Sequence, residues 1–126
     1  MEKSIINTSA APAPIGPYNQ AVFAGDTLYI SGQICLDAET GELKNGSLEE
    51  ETHQCMKNLK AILNAAALGF ENVVKSTIFI TDMKQFSTIN EVYGQYFSDN
   101  FPARETVQVA ALPKFVNVEI SMIAVR

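Results

Sequence analysis

Between Val116 and Ala124 the apolar residues Val116, Val118, Ile120, Met122 and Ala124 alternate with Asn117, Glu119, Ser121 and Ile123. Successive strand side chains point to opposite faces, so a period of two commits this segment to a strand with one apolar and one mixed face. Such a strand needs neighbours in a sheet and a cover over its apolar side. A second run, from Pro102 to Ala111, puts Val107, Val109 and Ala111 on one face and Arg104, Thr106 and Gln108 on the other. The polar parities of the two runs carry Arg104 and Glu119, and the chain's other arginine is its last residue, Arg126. A guanidinium offers a rigid fork of donors matched to a carboxylate, and a glutamate moves protons. The pair therefore points to a site for a small organic acid.

The cover comes from two helical patterns. Ser47-Leu48-Glu49-Glu50 has the capping-box spacing, with Glu49, Glu50 and Glu51 at the positive end of the helix dipole. Leu48, Cys55, Met56, Leu59, Ile62, Leu63 and Ala66 then form one apolar stripe, which leaves His53 on the outer, solvated face and Gly69 as a left-handed stop. After a β-rich run from Val73 to Ile80, Asp82 caps a second helix with Phe86, Ile89, Tyr93, Tyr96 and Phe97 in its stripe, ended by Pro102. Gly25-Asp26 is a hairpin turn between Val22-Phe23-Ala24 and Thr27-Leu28-Tyr29-Ile30-Ser31, and a further turn is expected at Ala38-Glu39-Thr40-Gly41. The expected architecture is an α+β two-layer domain of order β-β-(β)-α-β-α-β-β, with two helices on one face of a mainly antiparallel sheet. The other face, polar but carrying Ile123 and Val125, is too apolar for solvent and is expected to pack against neighbouring subunits.

At 126 residues the chain reads as a single domain, residues 1–126. Nine basic against 14 acidic residues leave a net charge of -5, which opposes nucleic-acid binding, and there is no tryptophan for base stacking. No secretory signal or membrane-length apolar run is visible, so a soluble cytoplasmic protein is expected. Cys35, Cys55 and the lone His53 have neither zinc-ligand nor redox-pair spacing, and both thiols are expected to be buried and inert.

Five short motifs occur in order: Pro14-Ile15-Gly16-Pro17-Tyr18-Asn19-Gln20-Ala21, Ile30-Ser31-Gly32-Gln33, Asn90-Glu91-Val92-Tyr93, Pro102-Ala103-Arg104, and Leu112-Pro113 with Val118-Glu119-Ile120. Through them the chain resembles the Rid family of reactive intermediate deaminases, from near Asn7 to Ala124. The resemblance implies a chorismate-mutase-like fold and a homotrimer with ligand clefts between subunits. It also implies hydrolysis of 2-imino acids and their enamines, such as 2-aminoacrylate and 2-iminobutanoate, to 2-keto acids and ammonia as metabolite damage control, with no cofactor or metal.

By the family pattern Arg104 binds the substrate carboxylate, where a surface ion pair is the plainer alternative, and Glu119 orients and deprotonates water, where a structural cross-strand role competes. Tyr18 and Asn90 join the substrate-binding set, against packing for the first and a hydrogen bond to a backbone carbonyl for the second. Ser31 and Gly32 let the backbone approach the ligand closely, unless they form an ordinary strand end. Thr106 stands where many relatives carry cysteine, so thiol chemistry is excluded there while its backbone still serves binding; Asn19, often serine in relatives, is a milder departure. Two other functions fit the family: a non-enzymatic trimer that binds small carboxylates or a regulatory protein partner, and an RNA-acting protein, which the acidic balance opposes.

Overall fold

The computed structural model describes residues 2–126. Six strands form one sheet in the order β1-β2-β3-β6-β4-β5: β1 Lys3–Ile6, β2 Ala21–Ala24, β3 Thr27–Gln33, β4 Val73–Ile80, β5 Ala103–Gln108 and β6 Val118–Val125. All neighbours are antiparallel except β4 and β5, which run parallel because α2 (Phe86–Gly94) and its flanking loops carry the chain back across the sheet. Together with α1 (Leu48–Ala65), α2 packs on one face, so the mainly antiparallel two-layer α+β reading holds. The Gly25 hairpin forms with φ 61°, and Gly41, at φ 75°, closes the turn that the Leu36–Leu43 bridge clamps.

The helical stripe and the β6 alternation meet in the core. Met56, Leu59, Ile62 and Leu63 are fully buried against Ile78, Ile80, Val118, Ile120 and Ala124. Ser47 Oγ accepts from the Glu50 amide at 3.1 Å, but the returning Glu50 carboxylate takes the Gly46 N–H at 2.7 Å, one residue further out than a capping box requires. Glu51, read only as a dipole partner, is fully buried: its carboxylate accepts from the backbone of Asn117 at 2.6 Å and Val118 at 2.9 Å, and from Asn117 Nδ2 at 3.0 Å.

Several expectations are corrected. Strand β1 was not foreseen. α1 stops at Ala65, and the left-handed residue is Ala67 (φ 60°), while Gly69 is extended. Asp82 caps a short 3₁₀ turn through the Lys84 amide; α2 ends at Gly94, well before Pro102, and Tyr96 and Phe97 pack from the loop beyond it. His53 is half-buried, its Nδ1 2.8 Å from the Tyr96 hydroxyl.

The opposite face of the sheet is covered at Phe79 by a smaller cluster with Cys35, Leu112 and Val116, while toward β1 it carries an exposed apolar row. Side by side on it lie Ile5, Val22, Tyr29 and Ile123, with Ile5 53% and Tyr29 51% exposed.

Removing the Glu51 carboxylate strands buried donors. Glu51→Ala is expected to lose about 3 kcal/mol or more of unfolding free energy in urea titration, and Glu51→Gln, which keeps one acceptor, about half as much.

Candidate active site

The residues singled out from sequence fall into two groups. Tyr18, Ser31, Gly32 and Glu119 line one cleft of about 380 Å³ at the junction of β3, β6 and the loop before β2. The β3–β6 register shifts between Ile30 and Gln33, and this bulge turns Ser31 and Gly32 toward the cleft. Ser31 is pinned from both ends: its N–H donates to the Gln20 carbonyl at 2.9 Å and its hydroxyl to the Asn19 carbonyl at 2.6 Å. Gly32 is needed for room, since a Cβ there would lie 2.8 Å from the Glu119 Cδ and 2.9 Å from Oε2. Tyr18 is 48% exposed at the rim, its hydroxyl accepting weakly from the Ile15 amide at 3.4 Å, so it is not a buried packing tyrosine. Glu119 is half-buried, and desolvation pushes its carboxyl above the ordinary 4.5.

The second group lies at the far edge of the sheet. Arg104, opposite Ser76 in the β4–β5 register, sits over the rings of Tyr93 (5.1 Å) and Phe86 (5.4 Å) and donates to Asn90 Oδ1 at 2.7 Å. Among the described residues it has no carboxylate partner, which disposes of the ion-pair alternative. Asn90 therefore aims the guanidinium instead of satisfying a backbone carbonyl. Thr106 follows on the same face, and its Oγ1 is buried with no hydrogen-bond partner.

The two groups are on opposite faces of the sheet. Ser76 and its partner Arg104 point to the helices, as the Tyr93 hydroxyl bond to Ser76 Oγ at 2.8 Å shows, whereas Glu119 pairs with Phe79 on the other parity. The shared polarity of the two sequence runs thus does not make a shared face. Within one chain Arg104 and Glu119 therefore face away from each other across the sheet.

Sequence reasoning missed Gln20, whose buried amide accepts from the Thr8 N–H and donates to the carbonyls of Thr8, Ala11 and Pro12, fixing the Pro-rich loop as one wall of the cleft. It also missed the ring pair beneath Arg104, although Phe86, Asn90 and Tyr93 share a helical face. Neither thiol is reactive: burial pushes Cys35 up to about 11, with Glu51 adding to it, and burial raises Cys55 well above the usual thiol value. No cluster of potential metal ligands and no helix able to cross a membrane occurs among the described residues.

A family model described as Endoribonuclease L-PSP matches residues 8–126. The human 2-iminobutanoate/2-iminopropanoate deaminase is 49% identical over 124 residues, covering 98% of this chain and 90% of that protein. A crystal structure of a protein of the conserved Rid protein family from Yersinia pestis superimposes with a TM-score of 0.97 at 45% identity, covering 99% of this chain and 100% of that one. Escherichia coli TdcF with bound serine gives 0.93 at 45% identity, covering 98% of each chain.

Because the folded state holds the Glu119 pKa above 4.5, protonation favours the fold: the group's contribution is fully present below that pH and is lost as pH rises through the raised value. Glu119→Gln is therefore expected to raise the thermal midpoint at pH 7, with the gain vanishing below about pH 4.5, by calorimetry across pH.

Proposed function

The chain belongs to the Rid family, and on that premise we propose that it hydrolyses 2-imino acids and their enamines to 2-keto acids and ammonia at sites shared between subunits of a cytoplasmic homotrimer. One observation carries the shared site: Arg104 and Glu119, the anion binder and the proton carrier, face opposite sides of their own sheet. A neighbour seated on the exposed apolar row brings its Arg104 edge to this chain's cleft. Two free, buried cysteines fit a reducing compartment.

In the assembled cleft Arg104 from one subunit holds the substrate carboxylate through two parallel hydrogen bonds, its plane already set by Phe86, Tyr93 and Asn90. Glu119 from the next subunit takes a proton from water as the water oxygen bonds to the imine carbon. It delivers that proton to the nitrogen, giving a carbinolamine. It then takes the hydroxyl proton and passes it to nitrogen, so that ammonia leaves as the C=O bond forms. A carboxyl with a raised pKa suits a group that both accepts and returns a proton. Tyr18 closes the rim, and the Ser31–Gly32 backbone leaves space beside the carboxylate.

The ribonuclease description of the family model does not suit a chain of net charge -5 whose Arg126 is committed to Asp26 and the Phe23 ring. A second reading, a trimer that binds small carboxylates without turnover, draws on Thr106 in place of cysteine and on the bound serine of TdcF. Ligand binding without keto-acid release would select it.

With freshly generated 2-aminoacrylate, Arg104→Ala is expected to lower kcat/KM by on the order of a hundredfold or more, with no rescue by lysine. Mixing denatured Arg104→Ala and Glu119→Gln chains and refolding them together should restore about a quarter of wild-type activity, the fraction of randomly assembled interfaces with both intact halves. A site confined to one chain would restore none. Gly32→Ala should keep its thermal midpoint, because the atoms nearest the added Cβ all belong to the Glu119 side chain and none to backbone, yet lose activity by on the order of a hundredfold.

A further inference from the structure

An asparagine followed by glycine is the least protected of its kind, because the next backbone nitrogen can reach the side-chain amide with no Cβ in the way. Asn45-Gly46 is the one such pair in the chain, and the other eight asparagines all precede residues with side chains. Both residues are exposed, on the connection that enters α1. Elsewhere asparagine amides are committed: Asn58 donates to the carbonyls of Ile34 and Leu36 at the cleft, Asn90 accepts from Arg104, and Asn117 donates to Glu51.

Beside this pair stands a base. The Gly46 N–H donates to Glu50 Oε1 at 2.7 Å, and it is this proton that must leave when the Gly46 nitrogen attacks. A general base has to lie within about 2.6–3.2 Å of the atom it deprotonates, a limit the Glu50 carboxylate meets without moving. Its placement follows from the cap, since Ser47 Oγ accepts from the Glu50 amide at 3.1 Å and fixes the turn from which the side chain reaches back. On the other side the Lys44 amide donates to the Cys35 carbonyl at 2.8 Å, and Leu43 is bridged to Leu36. Only Asn45 and Gly46 lie between the two anchors.

We propose that Asn45 is a site of self-catalysed deamidation with Glu50 as its base. The Gly46 nitrogen bonds to Asn45 Cγ as its proton passes to Glu50. Glu50 returns that proton to Nδ2, the Cγ–Nδ2 bond breaks, and ammonia leaves behind a cyclic succinimide. Water then adds to one of the two ring carbonyls and opens the ring. Opening at the side-chain carbonyl gives aspartate; opening at the main-chain carbonyl gives isoaspartate, whose main chain runs through Cγ and is one atom longer. Either product places a negative charge where Asn45 had none, and the isoaspartate lengthens the link between the Lys44 and Ser47 anchors.

The test warms the whole protein for weeks, maps the gain of about one dalton by peptide mass analysis, and detects the isomer by methyl transfer with an isoaspartyl methyltransferase. Asn45 is expected to convert ahead of every other asparagine, at a rate that stays level from about pH 6 to about pH 8 because a carboxylate and not hydroxide supplies the base. Glu50→Gln keeps an acceptor for the Gly46 N–H but cannot take its proton. It is expected to slow conversion by on the order of tenfold at neutral pH and to make the rate climb with pH. An Asn45 that stays unconverted, or a Glu50→Gln rate equal to or above that of the unsubstituted protein, overturns the inference.

Discussion

The carboxylate of Glu51 ties the helical layer to the centre of the sheet. β6 lies between β3 and β4, and its first amide, with that of Asn117 before it, is held not by a neighbouring strand but by a side chain from the first turn of α1. Burying a carboxyl group away from water is unfavourable unless its lone pairs find donors, and here three N–H groups converge on it. The junction is thereby fixed one residue before Glu119. Cleft geometry follows from this anchor: the strand that starts in the wrong place carries its glutamate with it, and Gly32, shaped to that glutamate, no longer fits.

A second constraint is the parallel pairing of β5. An antiparallel edge strand could have followed β4 by a tight turn, but the crossover through α2 sets β5 parallel, with Ser76 beside Arg104 and Phe79 beside Val107. Its polar parity then faces the helices, at an edge where α2 offers rings and an amide instead of a closed apolar wall. Arg104 can sit there half-buried, stacked on the rings and bonded to Asn90, without a buried counter-charge. On β6 the same alternation leaves the polar parity on the face away from the helices. The fold therefore places Arg104 and Glu119 on opposite faces, and on the proposed reading the exposed apolar row of Ile5, Val22, Tyr29 and Ile123 is where a second copy reunites them.

What the sequence made legible were features whose cause is local. The φ of Gly25, the Ser47 cap and the period-two run of β6 are each decided within a few residues, and all appear as expected. What stayed hidden depends on partners distant in the chain. Lys3–Ile6 is a strand because β2 offers it an edge, not because of its own pattern. Ala67 takes the left-handed turn two residues before the glycine that was expected to, since the Ala67 and Leu68 amides must reach back to the carbonyls of Asn64 and Leu63. His53 looks solvated on a helical wheel until Tyr96 arrives from beyond α2. The site was legible as a set of residues but not as an arrangement: parity says that alternate residues share a face, never which face of one strand matches which face of another.

Thr106 departs from the polar satisfaction of the rest of the fold. A buried hydroxyl without a partner costs about 1–3 kcal/mol, a penalty that valine at the same place would avoid. Glu119 is similarly held where burial disfavours its charge. Both departures from polar satisfaction occur among the residues assigned to the ligand, one in each half-site, while Gln20, Asn58 and Glu51, the polar groups that only support the cleft, have their hydrogen bonds made. On the proposed reading, the unmade hydrogen bond lies in one half-site and the disfavoured charge in the other, while the groups that support the cleft are satisfied.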